Sequence, residues 1–274
     1  MKKRIFILSA VLIPAVLWVW HGNSTVELTE YEIEADIPNA FDGFTIVQVS
    51  DLHNCTLGTN NKKVLDKIKE AAPDIIVMTG DILDARNTKA DVALAFAEEA
   101  LKIAPCYYVS GNHEARIDYD GDVYENFRDA LSGLGVRVLE NESCDIVKMG
   151  EEITLVGLRD GGFDYSRTLD DMLNEAMSEN ENYKILLAHR PEYFDLYQDV
   201  DLIFSGHAHG GQVRLPFIGG LFAPGQGVLP KYDGGIYTED GRCMVVSRGV
   251  GNSLFPVRIN NKPEIVAVKL KTKG

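Results

Sequence analysis

Histidine is scarce in this chain, yet most of its histidines stand in short motifs together with aspartate and asparagine. Only six of the 274 residues are histidines. Five of them lie in motifs that follow predicted strands, and in chain order these motifs are Asp51-Leu52-His53, Gly80-Asp81, Gly111-Asn112-His113-Glu114, His189 and Gly206-His207-Ala208-His209. Imidazole, carboxylate and amide groups are ligands for first-row metal ions. Their gathering at strand ends therefore predicts a metal site with open positions.

The number of donors indicates more than one ion. Asp51 and His53 point to one side of an extended segment, because alternate residues of such a segment share a face, and can bind one ion together. Asp81 is a lone carboxylate, and a carboxylate can bridge two ions. The other donors are Asn112, His189, His207 and His209. About eight ligand groups are too many for one tetrahedral ion and suit two ions about 3.5–4 Å apart.

Each motif, taken by itself, can also be explained by a purely structural role. Asp-x-His and Gly-Asp are weak signals, and Gly111-Asn112 favours turn geometry. His189, beside Arg190 and Pro191, could be a capping histidine. Glu114 and Asp84 are better explained as groups that orient ligands or cap a helix than as ligands. Taken together and at strand ends, the motifs favour the metal site, since the alternatives require several independent coincidences.

The elements that must position these residues alternate between strand and helix in the first half of the chain. Apolar strands are predicted over residues 44–49, 75–78 and 106–109, each just before a motif, with helices over residues 64–72, 92–103 and 123–134. Further strands are predicted over residues 137–147, 153–156, 184–188, 202–204, 244–247 and 265–270, with a helix over residues 169–177. This order predicts an α/β fold, a four-layer sandwich of two mixed β-sheets flanked by helices.

The motif set resembles that of the calcineurin-like metallophosphoesterases, whose signature runs Asp-x-His, Gly-Asp, Gly-Asn-His-[Asp/Glu], a lone His and Gly-His-x-His. The resemblance covers about residues 44–270, and the block from His207 to Pro216 is similar to that of bacterial exported or membrane-associated phosphoesterases. Some relatives in that subgroup cleave the diphosphate of nucleotide-linked lipids. The resemblance implies a phosphoesterase that acts on phosphodiester, diphosphate or phosphomonoester bonds, with a lipid-linked or cell-envelope compound as a candidate substrate.

The resemblance also implies a role for each motif residue. A first metal would be held by Asp51, His53, Asp81 and His209, and a second by Asp81 as the bridge, Asn112, His189 and His207. A hydroxide shared by two divalent ions, of Mn, Fe or Zn, would attack phosphorus in line. His113 would stay free of metal and act on the transition state or the leaving oxygen. The alternative is a metal-binding interaction module on the same fold that has lost catalysis.

Two arginines beside the ligand histidines have two interpretations. Arg190 and Arg214 could bind the substrate phosphate, or they could balance the charge of a carboxylate-rich site.

The start of the chain has the layout of an export segment. Lys2, Lys3 and Arg4 precede an apolar run over residues 5–20. We expect residues 1–22 to be a signal anchor or signal peptide and residues 23–274 to be the metallophosphoesterase domain. The expected location is a cell membrane, with the domain outside the cytoplasm, or secretion after cleavage. The net charge of −14 argues against nucleic acid as a partner.

A segment after the last ligand has no helical period but is rich in Gly, Pro and apolar residues. It spans residues 212–242 and includes Phe217, Ile218, Phe222 and Val228. It could form an apolar rim beside the metals that contacts acyl chains or a bilayer, or it could be a loop packed over the edge of a sheet.

Overall fold

The computed structural model describes residues 13–14, 16–117, 122–252 and 256–273. Within these residues the chain forms two six-stranded sheets and two small hairpins. The strands of the first sheet are, from edge to edge, β1 (Glu27–Ala35), β16 (Glu264–Thr272), β2 (Thr45–Val49), β3 (Ile75–Thr79), β4 (Cys106–Val109) and β5 (Arg137–Val138). Those of the second are β14 (Gly235–Glu239), β15 (Arg242–Val246), β9 (Leu202–Ser205), β8 (Lys184–Leu187), β7 (Glu151–Gly157) and β6 (Glu142–Lys148).

Both sheets are mixed, with a parallel centre. Strands β2, β3 and β4 run parallel, with Ile46 opposite Ile75 and Ile76 opposite Cys106. Strands β7, β8, β9 and β15 also run parallel, whereas β6 and β14 are antiparallel edge strands. Parallel strands direct their carboxyl ends to one edge of a sheet, which is where open α/β sheets place their sites.

The helices follow strands of the parallel centre and cover the outer faces. The helical residues before β1 are 13–14 and 16–24 (α1), and the later α-helices are α2 (Lys62–Glu70), α3 (Ala90–Leu101), α4 (Asn112–Ile117), α5 (Val123–Leu134) and α6 (Leu169–Ala176). Short 3₁₀ helices lie at Asn39–Phe41, Thr59–Asn61, Gly161–Phe163, Pro191–Leu196 and His209–Gly211. Helix α6 begins with a capping box between Thr168 and Asp171, and α5 ends at Gly135 in the left-handed conformation.

Three apolar clusters separate four layers. The middle cluster lies between the sheets and joins Ile46 and Val77 of the first to Leu155 and Phe204 of the second. One outer cluster packs helices α2, α3 and α5 on the first sheet. The other packs α6 on the second sheet. Neighbouring strand residues enter different clusters because successive side chains of a strand point to opposite faces. The expected α/β architecture with two mixed sheets and flanking helices is confirmed.

The chain before β1 is described only in part. Residues 1–12 and 15, which carry most of the predicted anchor, lie outside the described residues, so the division between residues 22 and 23 stays a prediction. Among the described residues, no helix combines the length and the apolar character needed to cross a bilayer. The end of α1 contacts the domain, because Asn23 donates to the Arg258 carbonyl at 2.8 Å and accepts from the Arg258 amide at 2.7 Å.

Two segments differ from the sequence prediction. The predicted single strand over residues 137–147 is two strands, β5 and β6, which belong to different sheets. The break lies at Asn141, which adopts a left-handed conformation (φ 57°) that asparagine tolerates better than most residues. The segment 212–242, which has no helical period, contains two hairpins, β10 (Arg214–Leu215) with β11 (Gly219–Gly220) and β12 (Phe222–Ala223) with β13 (Gly227–Val228), before β14.

Candidate metal centre

The predicted site residues come together where the central strands of the two sheets end. Asp51, Asp81 and Asn112 follow β2, β3 and β4 of the first sheet. His189 and His207 follow β8 and β9 of the second. Backbone hydrogen bonds join the strand ends within each sheet, from the Asp51 amide to the Gly80 carbonyl at 3.0 Å and from the Gly206 amide to the His189 carbonyl at 3.0 Å. The site therefore needs both sheets in place.

Five of these residues hold a backbone conformation that side chains disfavour. Asp51, His53, Asp81, His207 and His209 have φ between 48° and 65°. Such left-handed residues each cost about 1–2 kcal/mol and gather at functional sites when the surrounding fold imposes them. The close approach of the loops also needs glycine, since a Cβ at Gly111 or Gly206 would collide with the carboxylate of Asp81 or Asp51.

The first group of candidate ligands surrounds Asp51 and consists of Asp51, His53, Asp81 and His209. The Nε2 atom of His209 lies 3.2 Å from Asp51 Oδ1, and His53 Nε2 lies 3.8 Å from the same oxygen. The other oxygen, Oδ2, accepts from the Ser50 hydroxyl at 2.6 Å and from the His207 amide at 3.1 Å. The His207 amide contacts both oxygens of Asp51, and Oδ1, at 3.2 Å from that amide, is the oxygen that also faces the imidazoles.

The second group consists of Asp81, His189 and His207. The Oδ1 atom of Asp81 accepts from the His113 amide at 2.7 Å. Its Oδ2 atom lies 3.6 Å from His53 Nε2 and 3.3 Å from His189 Nε2. A single carboxylate oxygen thus faces one histidine of each group.

Asn112 lines the same small cavity as Asp81 and His207 of the second group. Its Oδ1 atom is buried and has no hydrogen-bond partner among the described residues, and neither has the Nε2 atom of His207. A buried acceptor without a partner is costly unless something binds it. The two groups of donors, the shared Asp81 and the unpartnered Asn112 oxygen fit a pair of divalent ions.

The protonation states in this buried cluster also suit metal binding. Burial lowers the pKa of His53 to about 4, and burial with neighbouring positive charges lowers the pKa of His207 and His209 well below the usual range. Burial alone would also lower the pKa of His189, but the charge of Asp81 and a hydrogen bond to it raise the value to about 10. An imidazole binds metal in its neutral form, which the low pKa values of His53, His207 and His209 favour. At His189, a bound metal cation could take the place of the proton and balance the negative charge of Asp81.

His113 lies beside the candidate ligands, and one of its ring nitrogens accepts a hydrogen bond from the protein backbone. Its Nδ1 atom accepts from the Ala85 amide at 3.1 Å and lies 3.3 Å from Asp84 Oδ1. A neutral His113 therefore carries its proton on Nε2. The ring packs edge-on against His53, with the centroids 4.4 Å apart, and His53, Asp84 and His113 form a third possible metal-binding group.

Glu114 fastens the loops that carry Asp81 and Asn112. Its buried carboxylate accepts from the amides of Asp81 at 2.9 Å, Leu83 at 2.8 Å and Gly111 at 2.9 Å. Burial, together with the charge of Asp81, raises the pKa of Glu114 to about 8. The contacts are those of a group that orients ligands.

The two predicted phosphate-binding arginines are both paired with carboxylates. Arg190 donates to Asp160 at 2.6 and 3.0 Å and lines a cavity beside His189. Arg214 lies 3.1 Å from Asp233 and donates to the Gly210 carbonyl at 3.1 Å, at the base of the first hairpin. These ion pairs agree with the interpretation that the two arginines balance the charge of nearby carboxylates. Substrate binding by either arginine stays a prediction.

Sequence reasoning missed Arg258. Its side chain is fully buried, donates to the carbonyls of Arg248 at 2.7 Å and Gly251 at 3.1 Å, and lies 3.5 Å from His209 Nδ1. It belongs to no motif and follows no period, so no signal in the sequence marks it. Arg116 was also missed, although it stands one helical turn after His113 on α4 and could have been found by that spacing.

Two cavities open beside the centre. The smaller, of about 90 Å³, is lined by Asp81, Arg86, Asn112, His113, Arg116, His207, His209 and Pro224. The larger, of about 440 Å³, lies on the His189 side and also has Arg116 in its wall. A substrate group can therefore reach the candidate ligands and His113 from solvent.

Comparison with known proteins agrees with this geometry. A family model for calcineurin-like phosphoesterases matches residues 44–211. The chain is 35% identical over 260 residues to the uncharacterized metallophosphoesterase YkuE of Bacillus subtilis, covering 90% of this chain and 86% of that one. It is 29% identical to phosphodiesterase YaeI of Escherichia coli, covering 73% and 72% of the two chains. It is 26% identical to the UDP-2,3-diacylglucosamine pyrophosphatase LpxG of Chlamydia trachomatis, covering 93% of each. The chain belongs to the calcineurin-like phosphoesterase family.

Proposed function

We propose that this protein is a dimetal phosphoesterase that hydrolyses a phosphodiester, diphosphate or phosphomonoester bond. The observation that carries the proposal is the position of Asp81 Oδ2 between His53 of one group and His189 of the other, at 3.6 and 3.3 Å. A carboxylate oxygen shared in this way is suited to bridge two ions.

The proposed ligands divide as the resemblance implies. Asp51, His53, Asp81 and His209 would hold one ion, and Asp81, His189 and His207 would hold the other together with Asn112. Two bound ions, whether of Mn, Fe or Zn, would supply Lewis acidity for the phosphate and an activated water as nucleophile. The protein's part is to orient the donors, through Ser50 at Asp51 and the Thr79 carbonyl, which lies 2.8 Å from His189 Nδ1.

His113 is proposed to act on the leaving group. Its Nδ1 atom is occupied by the Ala85 amide, which leaves Nε2 as the proton-bearing nitrogen. The side chain lines the small cavity beside the candidate ligands. From that position it can protonate the leaving oxygen or donate a hydrogen bond to a phosphate oxygen as charge develops there.

Activity with metal separates this proposal from the catalytically inactive module on the same fold. With Mn²⁺ added, the wild-type protein is expected to release p-nitrophenol from bis-p-nitrophenyl phosphate or p-nitrophenyl phosphate, because both ligand groups and His113 are complete. A chelator should abolish turnover, and added metal should restore it. Absence of turnover by protein shown to contain two ions would reject the enzyme and favour the inactive module.

The substrate is proposed to be a phosphorylated small molecule or a lipid-linked envelope compound. Two relatives are named as a phosphodiesterase and as a UDP-2,3-diacylglucosamine pyrophosphatase, which supports ester and diphosphate bonds as candidates. The basic start and apolar run of residues 1–20 support attachment to a membrane with the domain outside the cytoplasm.

An exposed apolar surface beside the centre supports contact with lipid. It is formed by Leu215, Phe217, Ile218, Phe222, Val228 and Leu229 of the two hairpins. The Ile218 side chain is 61% exposed, the Val228 side chain is 75% exposed, and that of Phe217 is fully exposed. Strands β11 and β12 pack on the segment that carries His209, and Pro224 lines the small cavity. This hairpin surface favours the apolar rim over the loop packed on a sheet edge.

Binding to liposomes should depend on the hairpin surface. For residues 23–274 expressed alone, the double change Phe217→Ser and Ile218→Ser is expected to lower the partition coefficient about tenfold or more, because each side chain loses apolar area that would enter the bilayer. Cosedimentation with vesicles of bacterial phospholipids measures the effect. Met149→Ser is the matched control, since Met149 is 90% exposed in the turn between β6 and β7. Equal binding of all three proteins would show that the surface does not contact lipid.

A further inference from the structure

The wall of the larger cavity beside the metal centre is rich in arginine, which the proposed hydrolysis does not by itself explain. Its wall includes His189, a candidate ligand, so it is continuous with the reaction site. Among the described residues, four arginines line it, Arg116, Arg159, Arg167 and Arg190, against one acidic residue, Asp160. This local excess of positive charge stands in a chain with a net charge of −14. A cationic cavity in an acidic protein attracts an anionic group.

Two of the four arginines are neutralised by partners and do not contribute to this argument. Arg190 forms the paired contact with Asp160. Arg167 lies 2.7 Å from Glu175. Both therefore have a role in holding the wall of the cavity.

Of the other two, Arg116 is free to bind an anion, and Arg159 is paired with a carboxylate only through its Nε atom. In the described part of the chain, the Arg116 guanidinium has no carboxylate or carbonyl partner, and its residue is exposed. The Arg159 guanidinium stacks 3.8 Å from the centroid of Phe163. Its Nε atom forms an ion pair with Glu140 at 3.5 Å, and Glu140 is shared with Arg128 at 3.7 Å. Stacking fixes the plane of a guanidinium and leaves its edge free to donate.

Arg116 also connects the two cavities. It lines the small cavity with Asn112 and His113, and it lines the large one with Arg159 and Tyr165. Arg116 is therefore a wall residue common to the two cavities. The wall of the large cavity also includes aromatic and apolar side chains, those of Tyr165, Tyr193, Leu169 and Met172.

We propose that the large cavity binds a second phosphate of the substrate, held mainly by Arg116 and assisted by the terminal nitrogens of Arg159, with an apolar or aromatic group of the substrate against Tyr165 and Tyr193. The proposal rests on the proposed phosphoesterase function and narrows its substrate to compounds with two phosphates, of which a diphosphate is the simplest. Guanidinium groups match phosphate oxygens in geometry as well as in charge.

The test compares a substrate with one phosphate and a substrate with two. The variant Arg116→Gln is expected to lower kcat/KM for a nucleoside diphosphate sugar by about 10- to 100-fold. For bis-p-nitrophenyl phosphate the loss should be smaller, less than about fivefold, and not zero because Arg116 also lines the small cavity. Arg116→Lys should recover part of the loss, because it keeps the charge without the planar fork. Arg137→Gln, at an exposed position on β5 outside the cavity walls, is the matched control.

Failure of this inference can be told apart from failure of the proposed function. Wild-type turnover of bis-p-nitrophenyl phosphate with no turnover of the diphosphate, or an equal loss on both substrates in Arg116→Gln, overturns the second-phosphate site and leaves the phosphoesterase intact. If the wild type turns over neither, calorimetric titration of the Mn²⁺-loaded protein with inorganic phosphate and with methylenediphosphonate decides. Tighter binding of the diphosphonate that is lost in Arg116→Gln supports the site, and equal affinities of the wild type for both ligands overturn it.

Discussion

Replacing Asp81 with asparagine is expected to leave fewer than two bound ions per chain and to lower kcat/KM by about 10³-fold or more. The Oδ2 atom of Asp81 faces both His53 and His189, so this change removes the negative charge shared by the two ligand groups. An amide at this position offers one neutral oxygen and places two N–H donors where a second acceptor stood. Metal content by elemental analysis and turnover of bis-p-nitrophenyl phosphate with Mn²⁺ measure the two effects.

Asp74→Asn is the matched control, because Asp74 precedes the same strand, β3, at its other end. There it accepts from the Thr45 amide at 2.8 Å and from Lys148 at 3.4 Å, away from the centre. This variant should keep both ions and full activity. An Asp81→Asn protein with two ions and wild-type turnover would rule out the shared carboxylate as the bridge.

The second large effect is expected at His113. Changing it to glutamine should lower kcat by about 10²–10³-fold for a substrate with a poor leaving group while both ions remain bound. The loss should be smaller for p-nitrophenyl esters, since p-nitrophenol leaves without needing a proton. Rate constants for a series of aryl and alkyl esters, together with metal analysis, check this expectation.

His21→Gln serves as the control for His113, because His21 is an exposed histidine at the end of α1. The metal analysis also tests the third candidate group, in which Asp84 and His113 stand with His53. Loss of an ion from His113→Gln would make His113 a ligand. An equal loss for every leaving group would exclude proton transfer to the leaving oxygen as its task.

The sequence predicted those site residues whose positions are set by the strand that directly precedes them. Asp81 and Asn112 follow continuous apolar strands, and parallel strands bring their ends to a common edge, so motif and strand together place these side chains. The two-sheet architecture could be predicted for a similar reason, from the alternation of strand and helix followed by clustered strands.

The features of the site and the fold that the sequence did not predict depend on contacts between residues distant in sequence. Arg258 reaches His209 across 49 positions. The pairing of Arg190 with Asp160 and the absence of such a partner for Arg116 among the described residues depend on how separate loops meet. The change of sheet at Asn141 was missed because residues 137–147 alternate well enough for one strand, and only the packing of β5 and β6 on different sheets separates them.

The double hydrogen bond between Asn23 and Arg258 limits how far the centre can lie from the end of α1. Asn23 contacts the backbone of Arg258, and the guanidinium of Arg258 lies 3.5 Å from His209, so only one residue separates the helix from a candidate ligand. With residues 1–22 inserted in a bilayer, as proposed, the domain would have no flexible tether on which to swing away from the surface. A lipid-linked substrate, one of the two proposed kinds, would then arrive by lateral diffusion in two dimensions. Turnover would follow the number of substrate molecules per unit area of membrane rather than their concentration in the surrounding volume.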